Sequence, residues 1–208
     1  MHIPDGFLDA KTFGTLYGVS AAAVGFSIFR LKKILGEKQV PLIGVVSAFV
    51  FAAQMLNFPV AGGTSGHFTG GVLSAVLLGP SAGLLVMATV IMVQCFVFQD
   101  GGITALGANV FNMGLLGSVA GYYIFLGLRK FFNLSASVFT ASWISIIIAA
   151  SSCAVELAVS GTVPLKVSLI AMVSVHTIIG LGEGLITVAV ISFISKVRPD
   201  ILDTGGMR

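Results

Sequence analysis

The sequence predicts an all-α integral membrane protein with seven transmembrane helices, one of them short, its N-terminus outside and its C-terminus cytoplasmic. Three observations lead there. Only 9% of the 208 residues are charged and 56% are hydrophobic, with a mean hydropathy of +1.05. A soluble domain carries roughly 25% charged residues, so this chain has too little charge to cover a water-facing surface. Long apolar segments recur along the chain, and a spanning helix needs about 20 such residues, within a range of roughly 17–25. The basic residues gather at the ends of those segments, where the positive-inside rule reads orientation.

The apolar segments lie at 12–30, 41–56, 68–79, 81–98, 103–128, 136–159 and 167–195. The third, bounded by Gly70-Gly71 and Gly79-Pro80, is too short to cross by length alone. It counts as a half-buried crossing if glycine-rich loops dip into the protein where they are shielded from lipid. Charge decides between six and seven. Arg30, Lys32, Lys33 and Lys38 follow the first segment, Arg129 and Lys130 the fifth, and Lys196, Arg198 and Arg208 the last. With seven crossings all of these share the cytoplasmic side, and only Lys11 and Lys166 fall opposite. With six, the clusters split across the membrane. The chain reads as one domain, 1–208, in a multi-pass cell-membrane protein. It has a structured outer tail at 1–11, an outer loop at 57–70 and a polar cytoplasmic tail at 199–208.

Other classes are set aside by the same residues. The pI of 9.0 does not indicate nucleic acid binding, because the basic residues cap apolar segments. Cys95 and Cys153 both lie inside apolar stretches, as buried thiols rather than a disulfide framework. The N-terminus lacks the basic region and small-residue cleavage site of a signal peptide. Histidine is also too large at position 2 to favour removal of the initiator, so Met1 is expected to remain.

That retention gives the first residues chemical meaning. The chain begins Met1-His2-Ile3-Pro4-Asp5-Gly6. The Met1 amine and the His2 backbone nitrogen close a five-membered chelate ring on a metal ion. The same nitrogen and His2 Nδ1 close a six-membered one. A fourth nitrogen would complete a square plane, the geometry that selects Ni(II) or Cu(II), and only His67 and His176 can supply another imidazole. His67 ends the glycine-rich run Gly62-Gly63-Thr64-Ser65-Gly66, on the same outer side as the tail in the seven-crossing topology. By itself that run is also an ordinary flexible loop, and it lacks the lysine of a phosphate-binding loop.

Asn57 opens the outer loop, and Asp100 lies in the outer turn Gln99-Asp100-Gly101-Gly102. Asp100 reads either as a partner that fixes a histidine tautomer or as a solvated turn residue. Asn109 and Asn112 share a helical face and read as interhelical hydrogen-bonding residues. Glu156, His176 and Glu183 are ionisable residues inside apolar segments, rare enough to be functional candidates. Glu156 and His176 lie toward the outer side, where they could support a metal site. Glu183 lies deep and reads first as part of a buried network tying the last two helices together. In the first segment Gly14/Gly18 and Ala21/Gly25 are small-xxx-small pairs, which admit a closely packed helix from within the chain or from a partner.

Taken together, Met1 to Phe7, the loop Asn57-Phe58-Pro59-Val60 through Gly63-Thr64-Ser65-Gly66-His67, Gln99-Asp100-Gly101-Gly102 to Gly107-Ala108-Asn109, and Glu156 through Thr162 resemble the NikM/CbiM family. Its members are the substrate-binding S components of energy-coupling factor (ECF) transporters for nickel and cobalt. The resemblance spans essentially the whole chain. It implies a seven-helix fold with an outward N-terminus. It also implies a near-square-planar, four-nitrogen site made by the Met1 amine, the backbone nitrogen and imidazole of His2, and the imidazole of His67, with Ni(II), or Co(II), as transported substrate. It implies no enzymatic activity. The implied partners are a membrane coupling (T) subunit, two ATPase (A) subunits and, because the C-terminal extension of some members is missing here, a small accessory membrane subunit. Ala21 and Gly25 are the candidate docking face. Binding should weaken in acid, because the amine (pKa roughly 7.7–8.0), the imidazoles and the amide must all give up protons. The rival readings are an intramembrane metalloenzyme on His67, His176 and Glu183, and an ion-coupled metal transporter or channel.

Overall fold

Helix boundaries follow local chemistry. Asp9 opens helix α1 (Ala10–Ile34), its carboxylate accepting the backbone N–H groups of Lys11 and Thr12 at 2.8 and 2.9 Å, an N-cap that satisfies otherwise orphaned donors. Helix α2 spans Gln39–Gln54. Helix α3 (Gly71–Leu78) starts after Gly70, whose φ of 74° is left-handed, and ends at Gly79. Pro80 then occupies the first turn of α4 (Pro80–Phe98), where a missing N–H costs nothing. Leu106–Leu128 runs as one apolar helix, made of α5 (Leu106–Val110), a π-helical stretch (Phe111–Ala120) and α6 (Gly121–Leu128). Asn133 caps α7 (Leu134–Val159), its side chain accepting the Ala136 N–H, and Pro164 precedes α8 (Leu165–Val197).

This computed structural model describes every residue except 35, 37, 38, 62 and 205–208. The readings made on Lys38, Gly62 and Arg208 therefore lie outside the described residues. Every apolar segment read from the sequence appears as a helix. Five are long and apolar enough to cross a membrane: Ala10–Lys33, Pro80–Phe98, Leu106–Leu128, Leu134–Val159 and Leu165–Val197. Gln39–Gln54 is a shorter apolar helix, and Gly71–Leu78 is shorter still, about 12 Å at 1.5 Å per residue.

Two features differ from the sequence reading. The loop at 57–70 is not plain coil. It carries an antiparallel hairpin of β1 (Asn57–Val60) and β2 (Thr64–His67), with Asn57 opposite His67 and Val60 opposite Thr64. The fold is thus mostly helical with one small sheet rather than purely α. The end of the chain also departs from a plain polar tail. Pro199–Thr204 form a short helix, α9, and Leu202 is buried in the core.

Burial ranks the helices. About 61% of the α4 span is buried, against 28% for α8 and 11% for α1, so α4 is central and α1 peripheral. Close approach in the centre depends on missing side chains. A Cβ on Gly71 would lie 2.6 Å from the backbone of Gly117, and one on Gly83 would lie 2.6 Å from Ser118 Oγ. These contacts bring α3 and α4 against the π-helical stretch. The bulky apolar residues Phe26, Phe29, Phe96 and Phe193 are exposed, as lipid-facing surface is.

Candidate metal centre

The N-terminal tail is not loose. Met1 and Ile3 are fully buried and His2 nearly so, and burying two such apolar side chains stabilises docking by about 1.5–3 kcal/mol each. Asn109 clasps the tail from α5. Its Oδ1 accepts the Ile3 N–H at 2.9 Å, and its Nδ2 donates to the Ile3 carbonyl at 3.2 Å. The Gly102 N–H donates to the same carbonyl at 2.8 Å. Asp5 Oδ1 accepts both the backbone N–H and the hydroxyl of Thr104, at 2.7 and 2.6 Å. The Thr162 hydroxyl donates to the Phe7 carbonyl.

Docked this way, the tail delivers its nitrogens to β2. The Met1 amine lies 3.0 Å from His67 Nε2. His67 Nδ1 is 2.7 Å from the Phe68 carbonyl; a carbonyl only accepts, so Nδ1 carries the proton and Nε2 presents a lone pair toward the amine. The Ser65 hydroxyl oxygen accepts from the His2 backbone N–H at 3.0 Å and from the Met1 amine at 3.3 Å, turning both nitrogens to the same side. The His2 and His67 rings stack with centroids 4.7 Å apart. Asp100 Oδ1 sits 3.3 Å from His2 Nδ1 as an electrostatic contact.

The electrostatics keep these donors neutral. Burial pulls the Met1 amine down from 8.0 to about 5. Burial, and then repulsion from the amine, holds His2 down at about 3. Burial followed by the amine and His2 charges holds His67 well below its usual value. Asp100 is shifted upward by burial, against the pull of the amine and of Asn57. Near neutral pH the amine and both imidazoles therefore offer lone pairs, with a carboxylate beside them to attract a cation. Neighbouring corners of a square plane with metal–nitrogen bonds of about 2.0–2.1 Å, as in zinc–imidazole sites, lie about 2.9 Å apart. The amine–His67 separation matches such a pair of corners.

The other residues read from the sequence divide. Asn57 donates to Asp100 Oδ2 at 3.2 Å, so both stand beside His2. Asp100 approaches Nδ1, the chelating nitrogen, rather than Nε2, where a tautomer-fixing partner would sit. Glu156 Oε2 accepts from Asn112 at 2.8 Å and its Oε1 from Ser152 at 3.1 Å, tying α7 to the π-helical stretch. His176 Nδ1 donates to the Met172 carbonyl of its own helix at 2.8 Å, and among the described residues its buried Nε2 has no hydrogen-bond partner. Among the described residues neither Glu156 nor His176 hydrogen-bonds to Met1, His2 or His67. Glu183 does not tie the last two helices together, as the sequence reading had it; it binds Thr69 and Gly70, ahead of α3. Nor do three His, Cys, Asp or Glu side chains converge as a metal site among the described residues, which removes the metalloenzyme arrangement of His67, His176 and Glu183. The candidate centre exists only when the backbone terminus is counted as a ligand.

Sequence reasoning missed Ser65 and the clasp by Asn109, which had read as an interhelical residue. Ser65 carried a signal, two positions before His67 on one face of a strand. Asn109 carried none that separated it from Asn112.

The chain is similar to known metal transport proteins. A family profile for CbiM, described as the cobalt uptake substrate-specific transmembrane region, matches residues 2–201. The chain is 49% identical over 205 residues to a protein of Archaeoglobus fulgidus named putative fused nickel transport protein NikMN, covering 98% of this chain and 68% of that one. It is 31% identical over 216 residues to a putative cobalt transport protein CbiM of Methanococcus voltae, covering 98% and 95%. The crystal structure of a truncated transition metal transporter aligns with a TM-score of 0.89 at 32% identity, over 94% of this chain and 99% of that one. With a match along nearly its whole length and a shared fold, the chain belongs to the CbiM family, as a multi-pass membrane protein of a transport class rather than an enzyme.

Proposed function

We propose that the chain is the substrate-binding membrane subunit of an energy-coupling factor importer for Ni(II), or Co(II). The observation that carries this reading is the Met1 amine held 3.0 Å from His67 Nε2, with the His2 nitrogens adjacent and every side-chain donor neutral. The ion binds in a four-nitrogen plane formed by the Met1 amine, the His2 backbone nitrogen, His2 Nδ1 and His67 Nε2. The two chelate rings place the amide nitrogen opposite the vacant corner, and His67 is the residue that reaches it. Displacement of the amide proton favours Ni(II) over Zn(II). Asp100 attracts the cation, and the tail seals it from water.

The described basic residues support seven crossings with the tail outside. Arg30, Lys32, Lys33, Arg129, Lys130, Lys196 and Arg198 follow the first, fifth and seventh segments. Inward release calls for a coupling membrane subunit and two ATPase subunits as partners. The docking face is on α1. Gly14, Gly18, Ala21, Ala22 and Gly25 are all exposed, and a Cβ on any of the three glycines meets nothing within 4 Å. A shallow apolar groove of about 170 Å³, lined by Ala21, Val24, Ala88 and Met92 among others, lies beside them.

The deciding experiment is nickel binding by purified protein with a native Met1 terminus, against a form with the Met1 amine acetylated and against His2→Ala. The native form should bind one nickel per chain and neither altered form should match it, since acetylation removes the amine donor and His2→Ala removes the imidazole and its six-membered ring. Equal binding would remove Met1 and His2 as the ligand pair.

A further inference from the structure

Glu183 lies in the middle of α8 and is 1% exposed. A carboxylate so deep in an apolar helix is costly unless its lone pairs are filled. Among the described residues, all of its hydrogen bonds come from one short irregular segment. Oε2 accepts the Thr69 backbone N–H at 2.8 Å, and Oε1 accepts the Thr69 hydroxyl at 2.5 Å and the Gly70 N–H at 3.1 Å. The segment is also held from α2, where Gln54 Nε2 donates to the Thr69 carbonyl at 2.6 Å.

One peptide group joins this clamp to the candidate metal centre. The N–H that Glu183 Oε2 grips belongs to Thr69. The carbonyl of that same peptide belongs to Phe68, and it accepts the proton of His67 Nδ1 at 2.7 Å. The order is therefore carboxylate, peptide N–H, peptide C=O, imidazole Nδ1–H, with Nε2 at the far side facing the amine. Hydrogen bonds in such a row polarise one another. Metal-binding histidines commonly donate their second N–H to a carboxylate or carbonyl that fixes ring orientation and raises ligand basicity. Here a carboxylate acts on a histidine through an intervening peptide.

We propose that Glu183 is a positioning residue for His67, acting through the Phe68–Thr69 peptide, so that helix α8 controls the loop ligand of the metal centre. This inference rests on the reading that His67 binds the metal. A shift of α8 relative to α3 rotates the peptide and withdraws Nε2 from the ion, which gives a route from helix movement to release.

The test uses the full chain purified in detergent and loaded with nickel, comparing wild type, H67A, E183Q and E183D. The readouts are the absorption band of planar four-nitrogen nickel, the rate of nickel loss to excess EDTA, and the melting temperature. H67A should abolish the band; if it binds nickel as wild type does, the metal-site reading itself fails. With H67A behaving as expected, E183Q and E183D should shift the band and speed nickel loss by roughly 10- to 100-fold, the range for partners of metal-binding histidines. A lower melting temperature with band and release rate unchanged in E183Q or E183D would overturn the proposal. If neither variant folds, hydrogen exchange on wild type decides. Coupling is reciprocal, so nickel must slow exchange at Thr69 and Gly70, and unchanged exchange there overturns the proposal equally.

Discussion

At the residue scale, the candidate centre turns on protonation. Free in water, the Met1 amine would hold its proton to about pH 8. Docked, it is held down at about 5, with His2 at about 3 and His67 well below its usual value, all chiefly by burial. The sign follows. A basic group with a depressed value is neutral above that value and charged below it, so its lone pair is available over most of the physiological range. Between about pH 6 and 8 the amide proton is then the only one that nickel must displace, and log K should rise by about one per pH unit. Below about pH 5 the amine also competes, and the slope should steepen to about two. A tail undocked in the absence of metal predicts a slope of about two up to about pH 8. Nickel titrations across this range separate the two. Acid weakening was legible in the sequence, but its position on the pH scale was not, since it depends on burial.

At the scale of elements, the tail and its cradle form one unit. Gly63 and Gly102 leave room for the tail to lie down. A Cβ on Gly63, where φ is 86°, would strike the Phe7 ring, and one on Gly102 would strike the Asp5 backbone nitrogen and lie 2.6 Å from Asp5 Oδ1. A ring can move, whereas a docked backbone cannot without dragging Met1 and His2. Gly102→Ala should therefore cost about 1–3 kcal/mol of docking, a roughly 5- to 150-fold loss of nickel affinity with helix content unchanged. Isothermal titration with circular dichroism on the same sample checks it, and an affinity within about 2-fold of wild type would disprove the cradle. The hairpin β1–β2 was not legible because its strands are four residues each, include Pro59 and Gly66, and lack alternation of apolar and polar residues. The helices were legible because each is a long apolar run. The short α3 was legible too, through the glycines and proline that bracket it.

At the scale of the whole molecule, α1 stands apart. It has the least buried span of the five long helices, and its small-residue stripe faces outward instead of packing within the chain. The sequence left open which of those it did. Ala21→Leu and Gly25→Leu should abolish nickel uptake by the assembled transporter while leaving nickel affinity of the isolated chain within about 2-fold. Ala21 and Gly25 are exposed and a Cβ on Gly25 meets nothing within 4 Å, so bulky residues there disturb no internal packing. Uptake assays paired with binding on the same variants test this, and loss of binding would remove α1 as the docking face.

The sequence by itself determined the membrane class, the apolar helices and the suspicion that Met1, His2 and His67 belong together, because each is written in composition, in apolar run length or in the chelating geometry of adjacent residues. The tertiary structure alone decided that Ser65 turns the tail nitrogens, that Asn109 clasps Ile3 and that Glu183 grips the peptide beside His67. These contacts join positions 63, 106 and 114 residues apart, and no local periodicity records which distant backbone group a buried polar side chain will satisfy.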